Sequence, residues 1–320
     1  MTLLSRRKAV EQLEADAVDV AGLTERPMSQ WRLAMRRFRE RKSGMIGLTI
    51  VTLLVLMAIF APIIAPYDPN EVLIGKVDVG RREPPCIHAL GCPEDRSQHI
   101  LGTDGNVRDQ FSRIVYGARV SLTLGFFTVT IALLVGSAIG ALAGYAGGWL
   151  DNALMRVMDV VLGFPSLLLA IAIVSVLGPG LRNALIAIAI VTLPAYARVM
   201  RAQVLAIKES DYVAASRALG ARPRQILTRR VVPNALTPLV VLATLGIATA
   251  ILEAAGLSFL GLGAQPPTAE WGSMLASERN QVFTAPHLVF FPGLAIMITV
   301  LGFNLMGDGL RDALDPTLNR

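Results

Sequence analysis

The sequence predicts an all-α membrane protein with six transmembrane helices, and three observations predict it. Of the 320 residues, 53% are hydrophobic and only 17% charged, with a mean hydropathy of +0.54. Soluble domains carry about 25% charged residues, so the chain lacks the charge to cover a soluble body of this size. Its charges are gathered between long charge-free runs, at 43–67, 120–150, 160–181, 183–197, 231–252 and 280–307. A bilayer crossing needs about 20 mostly apolar residues, and five of these runs reach that length. Finally, the basic residues fall unequally on the two sides that the runs define. A disordered chain, a disulfide-dense secreted domain and a cytosolic enzyme are all poor fits.

Residues 1–44 are expected to form a cytoplasmic N-terminal segment. Positions 1–28 carry mixed charge and no motif. Trp31, Ala34, Met35 and Phe38 then recur at helical spacing, with Arg36, Arg37 and Arg39 around them. That pattern suits an interfacial helix along the membrane surface, or a cap on the bundle. No apolar core before a cleavage site precedes the first run, so no signal peptide is expected. The first transmembrane helix is placed at 45–65, and with its external loop it makes a unit over 45–118. The core, 119–306, follows with helices near 119–143, 159–178, 183–205, 235–256 and 286–306. The fourth rests on the shortest run, extended by Arg198 and Arg201, whose long stems can snorkel to the interface. Pro165, Pro194 and Pro292 are expected to interrupt or kink their helices. Residues 307–320 form a tail.

Lys and Arg orient the bundle. With the N-terminus inside, inside segments hold 21 of them and outside segments 8, with Arg119 at a boundary. Both termini and the loop 206–233 are therefore predicted to be cytoplasmic. The net charge of +6 is then mostly a topology signal, and no basic patch on a soluble domain points to nucleic acid. Cys86 and Cys92 lie in the longest outside loop, on the side predicted to be oxidising. They form a candidate disulfide, the alternative being two free thiols. A zinc site on His88 and His99 lacks the paired ligand spacing such sites use. The second outside loop, 257–285, is apolar and holds Pro266 and Pro267, so it is expected to fold back over the outer mouth of the bundle.

The segment between the fourth and fifth helices is the most informative. Asp211 to Leu219 are good helix formers, Gly220 is a natural helix stop, and Pro223 suits the first turn of a second short helix. Ala214, Ala215 and Ser216 let another surface approach closely. Arg217, Arg222, Arg224, Arg229 and Arg230 make the loop basic. A plain positive-inside loop explains the arginines but not the helix–glycine–helix layout, which predicts a docking element.

The spacing Ala214-Ala215-Ser216-x3-Gly220-x9-Arg230-x-Val232-Pro233 resembles the EAA loop of ABC importer permeases. Ala214 stands where that family has an acidic residue, and Arg230 where it has an aliphatic one. Leu101-Gly-Thr-Asp104 with Arg108-Asp109, Gly144 to Asp151, Phe164 to Leu169, Glu253 to Pro267 and Phe303 to Pro316 are similar to the C-type permeases of dipeptide and oligopeptide importers, though Val107 replaces a usual glycine. The similarity covers about 31–320 apart from much of 70–98. It implies a type I-like ABC importer permease bundle that works by alternating access in a heteromeric complex. On this resemblance Asp211, Ala214, Ala215, Ser216, Leu219, Gly220, Pro223 and Pro233 form the ATPase-coupling site, seating a coupling helix in the ATPase. The implied partners are a second homologous permease, two ATPase subunits, an extracytoplasmic peptide-binding protein and the bilayer of a bacterial inner membrane. Gly75-Lys76 is the only Gly-Lys pair and has no glycine five residues ahead, so no phosphate-binding loop exists. ATP and Mg are expected on the partners, and no cofactor or metal on this chain.

Two carboxylates fall inside or at the ends of the apolar runs. Intramembrane ionisable groups are costly and therefore functional candidates. Asp159 either pairs locally with Arg156 or faces the solute path. Glu253 either faces that path or pairs with a loop group such as Arg279. Related permeases carry dipeptides, longer peptides, glutathione or nickel complexes. An ion-coupled secondary transporter would have only Asp159 and Glu253 for its energising site. An intramembrane hydrolase is a poor fit, since no His-Glu-x-x-His occurs and His88, His99 and His287 lie outside or at a membrane edge.

Overall fold

A computed structural model describes residues 30–314, with side chains from Met35 onward; the mixed-charge residues 1–28 and the final six positions lie outside the described residues. The elements in chain order are α1 (Gln30–Glu40), α2 (Lys42–Ile59), α3 (Ala61–Ile64), α4 (Gln110–Ala146), α5 (Gly148–Leu162), α6 (Ser166–Leu177), α7 (Leu181–Lys208), α8 (Asp211–Ala218), α9 (Pro223–Ile226), α10 (Val232–Phe259), α11 (Trp271–Glu278) and α12 (His287–Leu314). A π turn, Leu227–Val231, joins α9 to α10. The fold is all-α. Five of its helical stretches are long and apolar enough to cross a bilayer: α2, α4, α7, α9 through α10, and α12.

The third predicted span is not one helix. The chain breaks at Gly163-Phe164-Pro165, and α5 and α6 meet at 93°. Proline has no amide hydrogen to donate and its ring crowds the preceding turn, so the helix ends ahead of Pro165. The 12 residues of α6 reach only about 18 Å at 1.5 Å per residue. That is short of a hydrocarbon core of about 30 Å, so α6 is too short to cross by itself. Helix α5 lies across α7. Asp151 and Asp159 of α5 pair with Arg201 and Arg198 of α7, so roughly 12 Å along α5 spans only about 4.5 Å along α7.

The second helix begins at Gln110 rather than near 119. Asp109 caps it, accepting from the Ser112 amide and hydroxyl, each at 2.7 Å. Satisfying the free amides of the first turn in this way sets a helix start. Arg113 and Arg119 lie within the helix, so a search for charge-free runs starts it late. The tail expected at 307–320 is helical at least to Leu314, as a continuation of α12.

Lipid tails are as apolar as leucine, so helices in a bilayer associate by close packing more than by hydrophobic drive. The main contact uses this directly. Gly136, Gly140 and Gly144, one turn apart on α4, lie against the backbone of α7: a Cβ on Gly136 would sit 2.7 Å from the Leu193 carbonyl oxygen, one on Gly144 2.9 Å from that of Arg201, and one on Gly140 would collide with the Ala197 carbonyl. A second glycine contact joins α2 to α12, through Gly44 and Gly47 against Gly309 and Gly302. Helix α10 packs on α4, α7 and α12 and so links the two pairs. Buried Ala132, Ala170, Ala187, Ile188, Met200 and Leu239 fill the larger core. At the end where α2 begins, Phe38 of α1 is buried against Gly44 and Gly309, and Arg41 reaches Asp312 at 3.8 Å.

Gly140→Leu is expected to destabilise the bundle by about 1–3 kcal/mol, the ordinary cost of overpacking. Gly293→Leu, where a Cβ meets nothing within 4 Å, should leave it unchanged. Thermal unfolding of both variants in detergent checks the contrast.

Candidate functional site

Three groups of residues stand out: a basic loop at one end of the bundle, a braced pair of loops at the other, and a few charged groups between. The basic loop starts where α7 ends. Lys208 closes the helix by donating from Nζ to the Gly144 carbonyl at 3.0 Å, which neutralises a helix C-terminus with a cation. Val213 of α8, Ile226 of α9 and Val231 of the π turn are fully or almost fully buried, and they pin the loop to the core. Helix α8 stops in a Schellman arrangement: the Ala221 amide donates to the Ser216 carbonyl and the Gly220 amide to that of Arg217. That turn needs a left-handed residue, and Gly220 has φ +81°. Pro223 occupies the first turn of α9, and Pro233 that of α10.

With its apolar side buried, the loop turns a distinct surface outward. Asp211, Ala214, Ala215, Gly220, Pro223 and Pro233 are exposed, and Ser216 is half-buried, donating to the Tyr212 carbonyl at 2.8 Å. Leu219 projects almost fully, 88% exposed. Among the described residues, its own chain neighbours apart, nothing lies within 4 Å of where a Gly220 Cβ would stand. Arg217, Arg222, Arg224, Arg229 and Arg230 are exposed, and none has an ion-pair partner among the described residues. Beside Leu219 lies an open hollow lined by Ser216, Ala221, Gln225, Arg229 and Arg230. An apolar knob, a run of small residues and unpaired guanidinium groups together fit a concave, acidic partner.

At the other end, two loops brace each other. Cys86 and Cys92 are bonded, with Cα atoms 5.3 Å apart. Cys86 exchanges backbone hydrogen bonds with His99, whose Nδ1 lies 2.9 Å from Asp109, the cap of α4. Arg82 donates to Glu278 at 2.9 Å, and the Gly105 amide does the same, so the first loop holds α11. The loop 257–285 folds back over the bundle: Ala264, Ala269, Trp271 and Met274 are buried, and the Trp271 indole donates to the Ile114 carbonyl at 3.1 Å. Glu270 caps α11 by accepting from the Gly272 and Ser273 amides. Burial nonetheless pushes its carboxyl above the ordinary range. His88 is engaged with the Arg96 carbonyl, and among the described residues no group of three His, Cys, Asp or Glu could hold a metal.

Between the ends, Asp159 pairs with Arg198 at 2.6 Å, not with Arg156; the local pair is corrected because α5 lies across α7. Arg201 grips Asp151 through two hydrogen bonds, of 2.5 and 2.6 Å. Sequence reading passed over that second pair; its signal was an aspartate at the edge of a charge-free run. Glu253 is half-buried on α10, and its Oε2 is buried with no hydrogen-bond partner. It does not pair with Arg279, whose guanidinium lies 6.0 Å from the Phe259 ring and donates to the Ala276 carbonyl.

This arrangement matches a known group of proteins. Residues 136–320 fit the model of the binding-protein-dependent transport system inner membrane component, and residues 29–85 that of the N-terminal transmembrane domain of oligopeptide transport permease C. The chain belongs to this permease family. It is a permease subunit of an ABC importer, a multi-pass membrane protein, and its relatives are transport permeases rather than enzymes. The dipeptide transport system permease protein DppC of Alkalihalophilus pseudofirmus is 47% identical over 296 residues, 91% of each chain. The di/tripeptide transport system permease protein DppC of Pseudomonas aeruginosa is 49% identical, over 88% of this chain and 90% of that one. The glutathione transport system permease protein GsiD of Pectobacterium atrosepticum is 43% identical over 90% and 91%. Among solved structures, an inward-facing MetNI methionine ABC transporter chain superposes with a TM-score of 0.53 at 21% identity, covering 63% of this permease and 96% of that chain. That likeness concerns the fold.

Because the Glu270 carboxyl is raised above its ordinary 4.5, its contribution to stability is full below the unfolded value and is lost as pH rises through the folded one. The melting temperature of the purified permease should therefore fall across that window. Glu270→Gln should flatten the slope, and an unchanged slope would assign it to another group.

Proposed function

We propose that this permease forms, with a second homologous chain, the pathway of an ATP-driven importer for di- or oligopeptides in a bacterial cell membrane. The observation that carries the reading is the outward surface of α8 and α9. Its exposed Leu219, open Gly220 and five unpaired arginines meet no partner among the described residues. They suit a groove on an ATPase subunit, with α8 as the coupling helix. The relatives that transport dipeptides cover about nine-tenths of the chain, which supports peptides as cargo. Two such ATPases would hold ATP and Mg, and an extracytoplasmic binding protein would deliver the peptide over the braced loops. The 21-to-8 bias of Lys and Arg and the bonded Cys86 and Cys92 both favour the same orientation, with α8 and the termini cytoplasmic.

In this reading, closure of the ATPases on ATP moves the two coupling loops. Val213, Ile226 and Val231 then transmit the movement as rigid packing into α7 and α10. The bundle switches between inward and outward openings, and energy enters at the loop rather than through an ion site in the spans.

A second cargo is favoured by a specific observation: glutathione permeases are 43% identical or more over nine-tenths of the chain. Glutathione is itself a short peptide, so both cargoes fit one pathway. Competition by unlabelled glutathione against labelled dipeptide uptake tells them apart, and full competition at micromolar glutathione would move the assignment.

Leu219→Glu changes a side chain that is 88% exposed, leaving the turn at Gly220 intact, but puts a charge on the docking surface. Peptide uptake by the assembled importer should fall more than tenfold, a loss of about 1.4 kcal/mol or more in coupling, while ATPase activity persists. Unchanged uptake overturns the docking role. Uptake that continues with a catalytically dead ATPase partner overturns ATP coupling and favours an ion-coupled carrier.

A further inference from the structure

The broken span leaves a surface inside the membrane that neither lipid nor this chain can satisfy. Phe164, Pro165, Ser166, Leu167 and Leu168 are all exposed, at the break between α5 and α6. The amides of Ser166, Leu167 and Leu168 find no acceptor among the described residues, and Pro165 supplies no side-chain cap. Non-helical backbone at membrane depth persists only where protein or a water-filled cavity covers it. The Asp159–Arg198 pair bridges α5 and α7, and its side chains are 48% and 53% exposed. An ion pair so open, on an apolar stretch, also calls for water.

Glu253 opens on this same surface. The Ser166 hydroxyl lies beside its carboxylate, and Leu167 lies 3.8 Å from where a Gly256 Cβ would stand, one turn along α10. No Lys, Arg or His of the described residues pairs with Glu253. A half-buried carboxylate without a counter-ion is costly, and a polar alternative of the same shape, glutamine, would avoid the charge. A carboxyl kept where glutamine would serve for packing is a functional candidate.

We infer that the α5–α6 break and Glu253 line a water-filled solute path, and that the Glu253 carboxylate receives the cationic α-ammonium group of the passing peptide. The inference rests on the importer reading and adds the chemical feature of the cargo that this chain itself selects. A short peptide carries one ammonium group at its amino end whatever its side chains. A carboxylate on the path, six residues before the end of α10, thus contacts every member of a mixed peptide pool while disfavouring anions. Ser166, beside it, offers a neutral hydroxyl to the carboxylate without neutralising it.

The chain has two cysteines and both are bonded to each other, so an introduced cysteine is the only free thiol this chain contributes. Ser166→Cys in the assembled importer, with cysteine-free partners, in lipid vesicles is treated with small water-soluble thiosulfonates, one cationic and one anionic. The cationic reagent is expected to react roughly tenfold faster, because a carboxylate in a low-dielectric cleft concentrates cations. Adding Glu253→Gln should remove that preference. The same Glu253→Gln change alone should lower uptake of a dipeptide severalfold without altering capture by the binding protein. Phe164→Cys, on the exposed break, serves if Ser166→Cys does not assemble. A thiol that resists both reagents, or reacts no faster than Leu301→Cys on the exposed face of α12, overturns the path. Equal rates, or a cationic preference that survives Glu253→Gln, overturns the role of the carboxylate. Absence of ATP-driven uptake by the native complex in the same vesicles would instead fault the importer reading.

Discussion

Three glycines on one face of α4 let its backbone come within van der Waals reach of α7, and much of the molecule is arranged around that contact. Because Gly144 approaches the Arg201 carbonyl, Arg201 is held where it can grip Asp151. Because α7 runs beside α4 to its end, Lys208 reaches the Gly144 carbonyl and fixes the point where the basic loop departs. In a bilayer, burying apolar surface between helices gains little, so close backbone packing is what selects the pairing. A bulkier residue at Gly140 would move both ion pairs and the loop together.

The same contact separates a closely packed frame from a segment that buries few of its residues. The α4–α7 pair, tied to α10, carries the surface built by α8 and α9. The α5–α6 segment is attached by two arginine–carboxylate rungs and by the packing of α6 on α7. It is interrupted at Gly163-Phe164-Pro165, and the amides of Ser166, Leu167 and Leu168 beyond the break have no acceptor among the described residues.

Several features could be read in the sequence from charge and spacing. Four spans, α2, α4, α10 and α12, follow from charge-free runs, because a bilayer excludes unpaired charge along some 20 residues; α7 follows from the shorter run 183–197 extended over Arg198 and Arg201. The stop at Gly220 and the restart at Pro223 follow from backbone conformations that those residue types favour. The start of α4 was missed because Arg113 and Arg119 interrupt its apolar pattern, although Arg113 is buried and satisfied by the Pro69 carbonyl at 2.7 Å. An interruption or kink was expected at Pro165, but not its angle. Nothing local to Gly163-Phe164-Pro165 sets a bend of 93°; that angle depends on where α7 offers Arg198 and Arg201.

The sequence by itself determined a membrane bundle, its element boundaries to within a few residues at most ends, the unequal spread of Lys and Arg, and the spacing of the loop by which it resembles ABC importer permeases. These are properties of single segments, fixed by solvation and backbone preference. Only the tertiary structure decided partners: Asp159 with Arg198 instead of Arg156, Glu253 left unpaired instead of joined to Arg279, and glycines of α4 seated on α7. Pairing depends on how helices cross, and the crossing is set by close packing between residues far apart in the chain, which no local spacing encodes.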